Sequence, residues 1–533
     1  MYVGEYLRKT RTERSLSIRR LAEDIEVHPS YVSRVERGKC RASRELLARV
    51  AGRLQVSEPH LLSLAGYMPK EWREPLAAEG LPEIAGIANC VREVPLAYGG
   101  LKTRLTNGGL QDPLFHFFPP GFVLSTELNE VYELRLAKLE ASLLKQNELI
   151  ERGAYFLAVD GQPTNHFKIC TGGAVELPKE AGARLQSFLG THRFKSSYAT
   201  HGLFPYRGKF HPQMIKAIIN VMGVKPGEII LDPMAGSGTT AVEASLMGID
   251  SLAVDVSPFC VFMTQAKLAG LIEDLSGIEA VLESRRGMEQ LFHEFSTESG
   301  KQKIRDRGYE SKKYTRGCLD ILGLAYMDAR GFSARSSRSS HQGFFTEVLT
   351  KYVRTIQRFQ EAWRKIDLDL GRGRAIYGDA RNLPIDDNSV DGVVFSPPYS
   401  FAIDYLENDL PHLEYLGVDI DDLKRNLIGL RGHSNGNRAL QYFEDMEFVL
   451  KETVRVLRPL RYCTIIVGSN SNQLSRALKL NPDSPEARYG IETRLVELAE
   501  QYGLFLELPI RRLIVGMANT MREEHILFLR KGN

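Results

Sequence analysis

The 533 residues of the chain are too many for one hydrophobic core, so the sequence predicts two to four domains. The composition is 43% apolar and 25% charged. No apolar run approaches the roughly 18 residues of a membrane helix, which excludes a membrane-spanning protein. The sequence also has no apolar leader, so we expect a cytoplasmic protein. Six scattered cysteines without CxxC spacing argue against both a disulfide framework and a zinc site. A net charge of only +3 leaves any nucleic-acid binding to local patches.

Residues 1–75 show the pattern of short amphipathic helices. Ser17 is placed to cap a helix, and a turn over residues 26–28 leads to a second helix that begins at Pro29 or Ser30 and ends at Gly38. This spacing predicts a helix-turn-helix, with a dimerising helical bundle as the alternative. Residues 4–66, which contain LAEDIEVHPSYV and SRVERGK, resemble the DNA-binding domain of phage repressors of the Cro type. The residues expected to contact DNA are Ser30, Tyr31, Ser33, Arg34 and Arg37.

Residues 76–195 carry no recognisable chemistry and are interpreted as a connecting or substrate-facing region. Turn-forming residues punctuate its first half, and a charged amphipathic helix is predicted over residues 126–152.

Strands alternate with helices from residue 196 onwards, which predicts a doubly wound α/β sheet over residues 196–275 and 370–533. The predicted strands lie in EIILDP, IDSLAVDV, AIYGD, VDGVVF, RYCTIIV and EEHILFL. A helical insertion over residues 276–369 interrupts the alternation. Between residues 300 and 340 it has ten basic and four acidic residues with interleaved aromatic rings. This pattern predicts either a DNA-contacting region or a solvated surface insertion.

A glycine-rich turn, LDPMAGSGTT, follows the first strand of this sheet. Gly236 and Gly238 allow backbone to press against a ligand where a helix begins, as in nucleotide sites. The lysine of a phosphate-binding P-loop and the G-x-G-x-x-G pattern are both absent from the turn. Asp232, directly before it, would repel phosphate and suits a cationic or amino-acid ligand.

Acidic residues end the next two strands. Asp255 is placed to accept hydrogen bonds from ribose hydroxyls, and Asp379 from an adenine amino group. Each acid alone is more often a helix cap or a turn residue. Together with the glycine turn, the two acids suit S-adenosylmethionine, a nucleoside with a sulfonium cation and an amino-acid tail.

The segment FSPPYS follows a further apolar strand. Its two prolines cannot donate hydrogen bonds to a sheet and impose extended geometry on the residues before them. The result is a stiff corner with free carbonyl groups and a fixed tyrosine, which forms either a small polar pocket or a plain tight turn.

Residues 196–275 and 370–533 resemble the amino-methyltransferases that modify exocyclic amines of DNA bases. The catalytic motif of that family is matched by Ser396, Pro397, Pro398 and Tyr399. Its cofactor motif is matched by Asp232, Pro233, Gly236, Gly238 and Thr239, with Lys209 and His211 at matching places upstream. The predicted cofactor-binding residues also include Ala235, Ser237, Asp255, Asp379 and Ala380. The resemblance implies S-adenosylmethionine as cofactor and an α/β fold: a Rossmann-like methyltransferase sheet with a helical insertion, plus an all-α N-terminal helix-turn-helix domain.

The resemblance also implies a reaction. Serine at the first motif position is commoner among N4-cytosine enzymes, so the expected substrate is the N4 amine of a cytosine flipped out of double-stranded DNA. Ser396 and the Pro397 carbonyl would accept the two amine hydrogens, and Tyr399 would stack on the base, for a direct displacement without a covalent cysteine.

Several alternatives remain open at this point. They are an N6-adenine DNA methyltransferase, an RNA (tRNA) base methyltransferase, and a helix-turn-helix transcriptional regulator with a cofactor-sensing methyltransferase-like domain. Candidate partners besides DNA are a cognate restriction endonuclease or defence proteins, as in restriction-modification, and a second copy of the chain.

Overall fold

The computed structural model describes residues 3–68, 122–124, 130–143, 149–152, 156–159, 162–164, 167–170, 198–206, 208–311, 313–333, 341–364, 369–398, 406–431, 435–469, 471–481, 484, 489–513 and 523–533. The chain divides into two compact units. The first comprises Met1–Ile150, Val159–Glu176 and Thr464–Arg530, and the second comprises Glu151–Ala158, Leu177–Cys463 and Lys531–Asn533.

The helices are α1 (Val3–Glu13), α2 (Ile18–Asp24), α3 (Pro29–Glu36), α4 (Arg44–Leu54), α5 (Glu58–Leu64), α6 (Val131–Leu143), α7 (Pro212–Met222), α8 (Thr239–Leu246), α9 (Pro258–Ile272), α10 (Ser276–Leu282), α11 (Arg285–Ser296), α12 (Glu298–Arg305), α13 (Arg316–Ser333), α14 (His341–Trp363), α15 (Leu406–Tyr415), α16 (Ile420–Asn426), α17 (Asn435–Val456), α18 (Ser471–Ala477) and α19 (Ile491–Gln501). The strands are β1 (Phe122–Leu124), β2 (Leu149–Arg152), β3 (Phe156–Val159), β4 (Gln162–Thr164), β5 (Phe167–Cys170), β6 (Ile229–Asp232), β7 (Asp250–Asp255), β8 (Gly373–Tyr377), β9 (Val390–Phe395), β10 (Leu457–Ser469), β11 (Leu504–Leu513) and β12 (Glu523–Lys531).

Two helices of the first unit lie where the sequence predicts the helix-turn-helix. Ser17 caps α2 by accepting the backbone N–H of Arg20 at 3.1 Å, and α3 begins at Pro29. α3 ends at Glu36, slightly earlier than predicted, and Gly38 turns the chain with a positive φ of 58°. The cap and the glycine therefore set the two ends of the motif as local sequence rules require.

A buried ion pair connects α1 to α3. The guanidinium of Arg11 donates from Nε and Nη2 to the two carboxylate oxygens of Glu36, at 2.5 and 2.9 Å. The two side chains are only 9% and 3% exposed. The helices approach closely at Gly4, where a Cβ atom would lie 2.3 Å from the carbonyl oxygen of Val35. Each charge in this pair therefore depends on the other, because a buried charge without a partner is costly.

Replacing Glu36 with alanine is expected to destabilise the helix-turn-helix by about 3–5 kcal/mol, because Arg11 would remain buried without its partner. Hydrogen exchange of the full chain, followed over α1 to α3, would show the lost protection. The matched control is Glu23→Ala, which removes an exposed pair with Arg20 at 3.2 Å and is expected to leave protection unchanged. Equal protection in both variants would show that the buried pair does not hold α1 to α3.

The second unit contains a sheet with strand order β10–β9–β6–β7–β8. β6 pairs in parallel with both β7 and β9, and β7 pairs in parallel with β8. In register, Leu231 of β6 lies beside Leu252 of β7 and Val393 of β9. Because parallel strands end at the same edge of a sheet, the segments after these four strands start at one edge, where ligands bind in sheets of this kind.

The first unit contains the end of β10 in the order β11–β12–β10, and an antiparallel pair of β1 with β5. β11 lies outside the predicted strands, because Glu507, Arg511 and Arg512 interrupt its apolar sequence.

The helix predicted over residues 126–152 is also wrong at its end. The helix is α6, and Leu149–Arg152 form β2. Strand pairing overrides the helical propensity of that charged segment.

Helices α10 to α14 form the insertion and share one hydrophobic core with α9 and α15. Phe295, Tyr326 and Phe345 of the insertion pack in the same buried cluster as Phe259 of α9 and Leu413 of α15. Polar contacts add to this packing, since Arg305 donates to the carbonyl oxygen of Tyr415 at 2.6 and 2.9 Å. The Tyr415 hydroxyl in turn donates to the carbonyl oxygen of Phe295 at 3.1 Å. The insertion is thus part of the core of the second unit.

Five basic residues between 300 and 316 pair with three acidic neighbours, which neutralises part of their charge. The pairs are Lys301 with Glu298 (3.0 Å), Lys303 with Glu294 (2.6 Å), Arg305 with Glu298 (2.5 Å), and Arg307 and Arg316 with Asp320 (both 2.6 Å). DNA contact by the insertion stays a prediction, and the pairing of these five residues with three carboxylates weakens the charge on which it depends.

Candidate active site

The glycine-rich turn after β6 adopts a backbone that only glycine takes readily. Gly236 and Gly238 have φ angles of 49° and 74°. A Cβ atom on Gly238 would lie 2.6 Å from Oγ1 of Thr264 in α9, which is far inside normal contact distance. The turn is therefore fixed by packing on α9 as well as by its own conformation. The neighbouring predicted residues Pro233, Ala235, Ser237 and Thr239 are buried in the same turn.

Asp255, at the end of β7, holds the turn from the adjacent strand. Its Oδ2 accepts the backbone N–H of Gly236 and its Oδ1 accepts that of Ser257, both at 2.8 Å. Burial raises the pKa of this carboxyl, although the two backbone donors oppose the shift. The structure thus gives Asp255 a role in shaping the turn, in addition to the ribose contact predicted from the sequence.

Two further carboxyl groups are buried beside the turn. Burial raises the pKa of Asp232 to about 7 and that of Asp409 in α15 to about 7, and the nearby Asp255 carboxylate adds to both shifts. Tyr206 belongs to the same cluster, since it forms a hydrogen bond with the Asp409 carboxyl, and its hydroxyl also contacts the Cys260 sulfur at 3.6 Å. A positive charge beside these acids would favour their ionised forms and lower their raised pKa values, so a cationic ligand suits this position. The predicted cofactor, whose sulfonium is positive, therefore fits the residues around the turn.

Two lysines also lie beside the turn. Lys267 of α9 is 1% exposed and donates to the carbonyl oxygen of Ser237 at 2.8 Å. Burial lowers its pKa to about 7, and nearby Lys209 lowers it further. Lys209 donates to the carbonyl oxygen of His201 at 3.3 Å, and burial also lowers its pKa. Lys267 is absent from the residues predicted from the sequence, where its signal is one lysine within the apolar helix FCVFMTQAKLAGLI.

The predicted residues Lys209 and His211 precede α7. His211 occupies the N-cap position of α7, without a capping hydrogen bond from its side chain. Nearby Phe204 adopts a positive φ of 63° and packs edge-on against Phe259 of α9, with ring centroids 5.1 Å apart. This segment is therefore held against the helix that follows β7, which brings it near the glycine turn.

Asp379 and Ala380 follow β8, the third strand of the cluster. The carboxylate of Asp379 forms an ion pair with Arg381, at 2.7 Å between Oδ2 and Nη2. Burial alone would raise the pKa of Asp379, but the hydrogen bonds from Arg381 outweigh it and hold the pKa below its usual range. Ala380 is buried. Asp379 is thus charged and oriented by its neighbour.

The corner Ser396–Pro397–Pro398 follows β9, the strand that pairs in parallel with β6. The Ser396 hydroxyl donates to the carbonyl oxygen of Pro397 at 3.5 Å, the outer limit of a hydrogen bond. This weak contact leaves both oxygens able to accept hydrogens from another group. Tyr399 lies outside the described residues. The corner and the glycine turn therefore begin at the same sheet edge, on neighbouring strands.

The predicted DNA-contacting residues divide into two groups in α3 and just after it. Ser30, Arg34 and Arg37 are exposed. Ser33 is half-buried, and its carbonyl oxygen accepts from the side chain of Arg37 at 3.1 Å. Tyr31 is also half-buried, and its hydroxyl accepts the backbone N–H of Ser43 at 3.2 Å. The exposure of Ser30, Arg34 and Arg37 favours DNA contact, whereas Tyr31 and Ser33 are less accessible.

Comparisons with known proteins identify two domains. Residues 203–311 match the RMKL-like methyltransferase domain family, and residues 3–64 match a helix-turn-helix domain family. The chain contains a methyltransferase domain and an N-terminal helix-turn-helix domain. The methyltransferase domain confirms S-adenosylmethionine, the cofactor predicted from the sequence. The predicted fold class, a Rossmann-like sheet with an all-α N-terminal domain, is likewise confirmed.

Three curated proteins are similar to parts of the chain. The type II methyltransferase M.MjaII of Methanocaldococcus jannaschii is 44% identical over 68 residues, which is 13% of each chain. The type II methyltransferase M.BsoBI of Geobacillus stearothermophilus is 23% identical over 281 residues, 43% of this chain and 55% of the relative. A tRNA (guanine(10)-N2)-dimethyltransferase of Methanothermobacter thermautotrophicus is 40% identical over 53 residues, 10% of this chain and 16% of the relative. The matched segments therefore span 55% of the length of M.BsoBI and only 13% and 16% of the other two relatives.

The described part of the methyltransferase domain contains no group of three or more His, Cys, Asp or Glu side chains arranged to hold a metal ion. Among the helices that the structure describes, none combines the length and the apolar character of a membrane span.

Proposed function

We propose that the protein is a DNA methyltransferase that transfers a methyl group from S-adenosylmethionine to the N4 amine of cytosine. The observation that carries the proposal is the parallel pairing of β6 with β9, which starts the glycine turn and the Ser396–Pro397 corner at one sheet edge. A cofactor held by the turn and an amine held by the corner would then be neighbours. The bound cofactor supplies the methyl group, and the protein supplies the alignment.

The corner suits a planar exocyclic amine. The lone pair of such an amine is delocalised into the base, which makes the nitrogen a weak nucleophile. Ser396 Oγ and the Pro397 carbonyl oxygen, which lie 3.5 Å apart, are placed to accept the two amine hydrogens and direct the lone pair away from the ring. Tyr399 is proposed to stack on the base, and the base must leave the duplex to reach the corner.

The N-terminal domain favours DNA as the substrate. Exposed Ser30, Arg34 and Arg37 lie on or just after the second helix of the helix-turn-helix, where such domains contact the major groove. Two of the similar proteins are type II methyltransferases. The similarity to type II methyltransferases suggests a restriction endonuclease that cuts the same site as a partner. Serine at position 396 favours cytosine over adenine as the methylated base.

A tRNA guanine methyltransferase is the second candidate. It is favoured by the 40% identity over 53 residues to a tRNA (guanine(10)-N2)-dimethyltransferase. Guanine N2 is also an exocyclic amine, so the same corner would serve it.

The test is to incubate the full chain and labelled S-adenosylmethionine separately with duplex DNA and with tRNA, and to identify the methylated nucleosides by mass spectrometry. We expect N4-methylcytosine from DNA and none from a Tyr399→Ala control. N6-methyladenine would replace the base assignment and leave the mechanism intact. N2-methylguanosine from tRNA alone would instead support the second candidate and overturn the first.

A further inference from the structure

A chain of four charged side chains extends from Asp379 towards α17. Arg381 gives three donors to the Asp379 carboxylate: its backbone N–H at 2.8 Å, Nε at 3.0 and 3.1 Å, and Nη2 at 2.7 Å. Nε shares one hydrogen between the two carboxylate oxygens, so these four contacts bring three hydrogens to a group that offers about four acceptor positions, and about one remains. Because the side chain of Asp379 is 34% exposed, that position can accept from a ligand.

Arg381 is held in turn by Asp445 of α17. Nη1 of Arg381 donates to Oδ1 of Asp445 at 2.8 Å, and Nη2 also donates to the carbonyl oxygen of Asn426 at 2.9 Å. The same Oδ1 accepts from Nη1 of Arg431 at 2.6 Å. Asp445 is 2% exposed, and no hydrogen bond to its Oδ2 occurs within the part of the chain that the structure describes. The carboxylate is thus a buried anchor shared by two arginines.

We propose that Asp445 is a positioning residue for the cofactor: through Arg381 it directs the remaining acceptor position of Asp379 at the amino group of the adenine ring. The proposal rests on the proposed assignment of Asp379 to adenine. Asp445 touches neither the cofactor nor the substrate. Its effect is geometric. The planar guanidinium of Arg381 is bound to Asp445 on one side and to Asp379 on the other, so it cannot rotate, and the Asp379 carboxylate is fixed with it.

Arg431 shares the Asp445 carboxylate with Arg381. It competes with Arg381 for one oxygen of Asp445, so its removal leaves the Arg381 contact in place and changes only the sharing of that oxygen. We therefore expect a large effect from changing Asp445 and a small one from changing Arg431.

The test compares two ligands on the full-length protein by calorimetry. One is S-adenosylhomocysteine, the cofactor without its methyl group, and the other is its analogue with hydrogen in place of the 6-amino group. A hydrogen bond to a carboxylate predicts that the wild type prefers the first ligand by roughly tenfold or more. Asp445→Asn is expected to reduce the preference to below about threefold, entirely through weaker binding of the amino ligand.

Two further variants sharpen the result. Arg381→Lys keeps the charge but loses the planar fork, and should reduce the preference to below about threefold, as Asp445→Asn does. Arg431→Gln should retain most of it. The matched control is Glu447→Gln, which removes an acid on the same helix that pairs with Lys451 at 2.8 Å, and it should leave the preference unchanged. Partial unfolding of a variant lowers binding of both ligands equally, so the ratio reports positioning alone.

The outcomes separate this inference from the proposed function. If Asp379→Ala abolishes the preference and Asp445→Asn preserves it, the positioning role of Asp445 is wrong and the proposed function stands. If the wild type binds both ligands equally, the adenine contact of Asp379 fails and the positioning role fails with it. If the wild type binds neither ligand, the proposed function itself is overturned, and this inference falls with it.

Discussion

Replacing Ser396 with alanine is expected to slow methyl transfer by roughly 100-fold while leaving the affinity for S-adenosylhomocysteine unchanged. The variant loses one of the two oxygen acceptors that are proposed to hold the amine, and losses of that size follow the removal of one preorganised hydrogen-bonding group from an active site. The glycine turn lies on a different strand, so cofactor binding has no reason to change. Single-turnover transfer to duplex DNA measures the first quantity and calorimetry the second.

Ser389→Ala is the matched control for this experiment. Ser389 directly precedes the same strand, at its opposite end, and its hydroxyl donates to the carbonyl oxygen of Asp386 at 2.6 Å. It should transfer methyl groups at the wild-type rate. Transfer by Ser396→Ala at the rate of this control would remove the serine from the mechanism.

Replacing Gly238 with alanine is expected to weaken binding of S-adenosylhomocysteine by at least about tenfold. The new Cβ atom would lie 2.6 Å from Thr264 Oγ1 and 2.8 Å from its Cγ2, in a residue whose φ of 74° already disfavours a side chain. Relief of that overlap requires the turn or α9 to shift, and overpacking of this kind costs about 1–3 kcal/mol. Calorimetry of the full chain measures the affinity.

Gly248→Ala separates the effect of backbone strain from that of the cofactor turn. Gly248 has a nearly identical φ of 72°, but its Cβ atom would meet neighbours only at 3.4 Å, and it lies beyond the other end of α8. We expect lower thermal stability in this variant and unchanged affinity. Wild-type affinity in Gly238→Ala as well would show that the turn does not bind the cofactor.

The placement of the candidate cofactor residues at one sheet edge could be predicted because these residues sit at strand ends. Asp232 ends one strand and is followed by Gly236 and Gly238, Asp255 ends the next strand, and Asp379 follows the third. Parallel strands with crossover helices place such segments at one edge of the sheet. The strands themselves are located by the alternation of short apolar runs with amphipathic helical segments along the sequence. The corner at Ser396 was predictable for the same reason.

The supporting residues could not be predicted, because they reach the site through long-range packing. Lys267 and Asp409 lie within helices whose buried faces depend on the whole fold. Asp445 is one acid among several on a long helix, and nothing local indicates that two arginines converge on it. A lone charge in an apolar stretch, as at Lys267, is the strongest available signal, since such a charge needs a buried partner.

The basic insertion shows the limit of counting charges. Ten basic residues against four acidic ones between 300 and 340 predict a surface that attracts phosphate. In the structure, residues such as Arg305 pair with Glu298, which lies just outside the counted window, and Arg307 and Arg316 converge on Asp320. Local composition cannot reveal such pairing, because it depends on how the helices turn back on one another.

The shared core of the insertion with α15 constrains how this protein can change over time. Phe345 of the insertion and Leu413 of α15 belong to one close-packed cluster, so a change of volume in the insertion disturbs the packing of α15. Removing the insertion would therefore expose apolar side chains of α15 that it covers. We expect natural variants of this chain to change core residues of the insertion and of α15 together, because α15, the helix that follows the diproline corner, packs on the insertion.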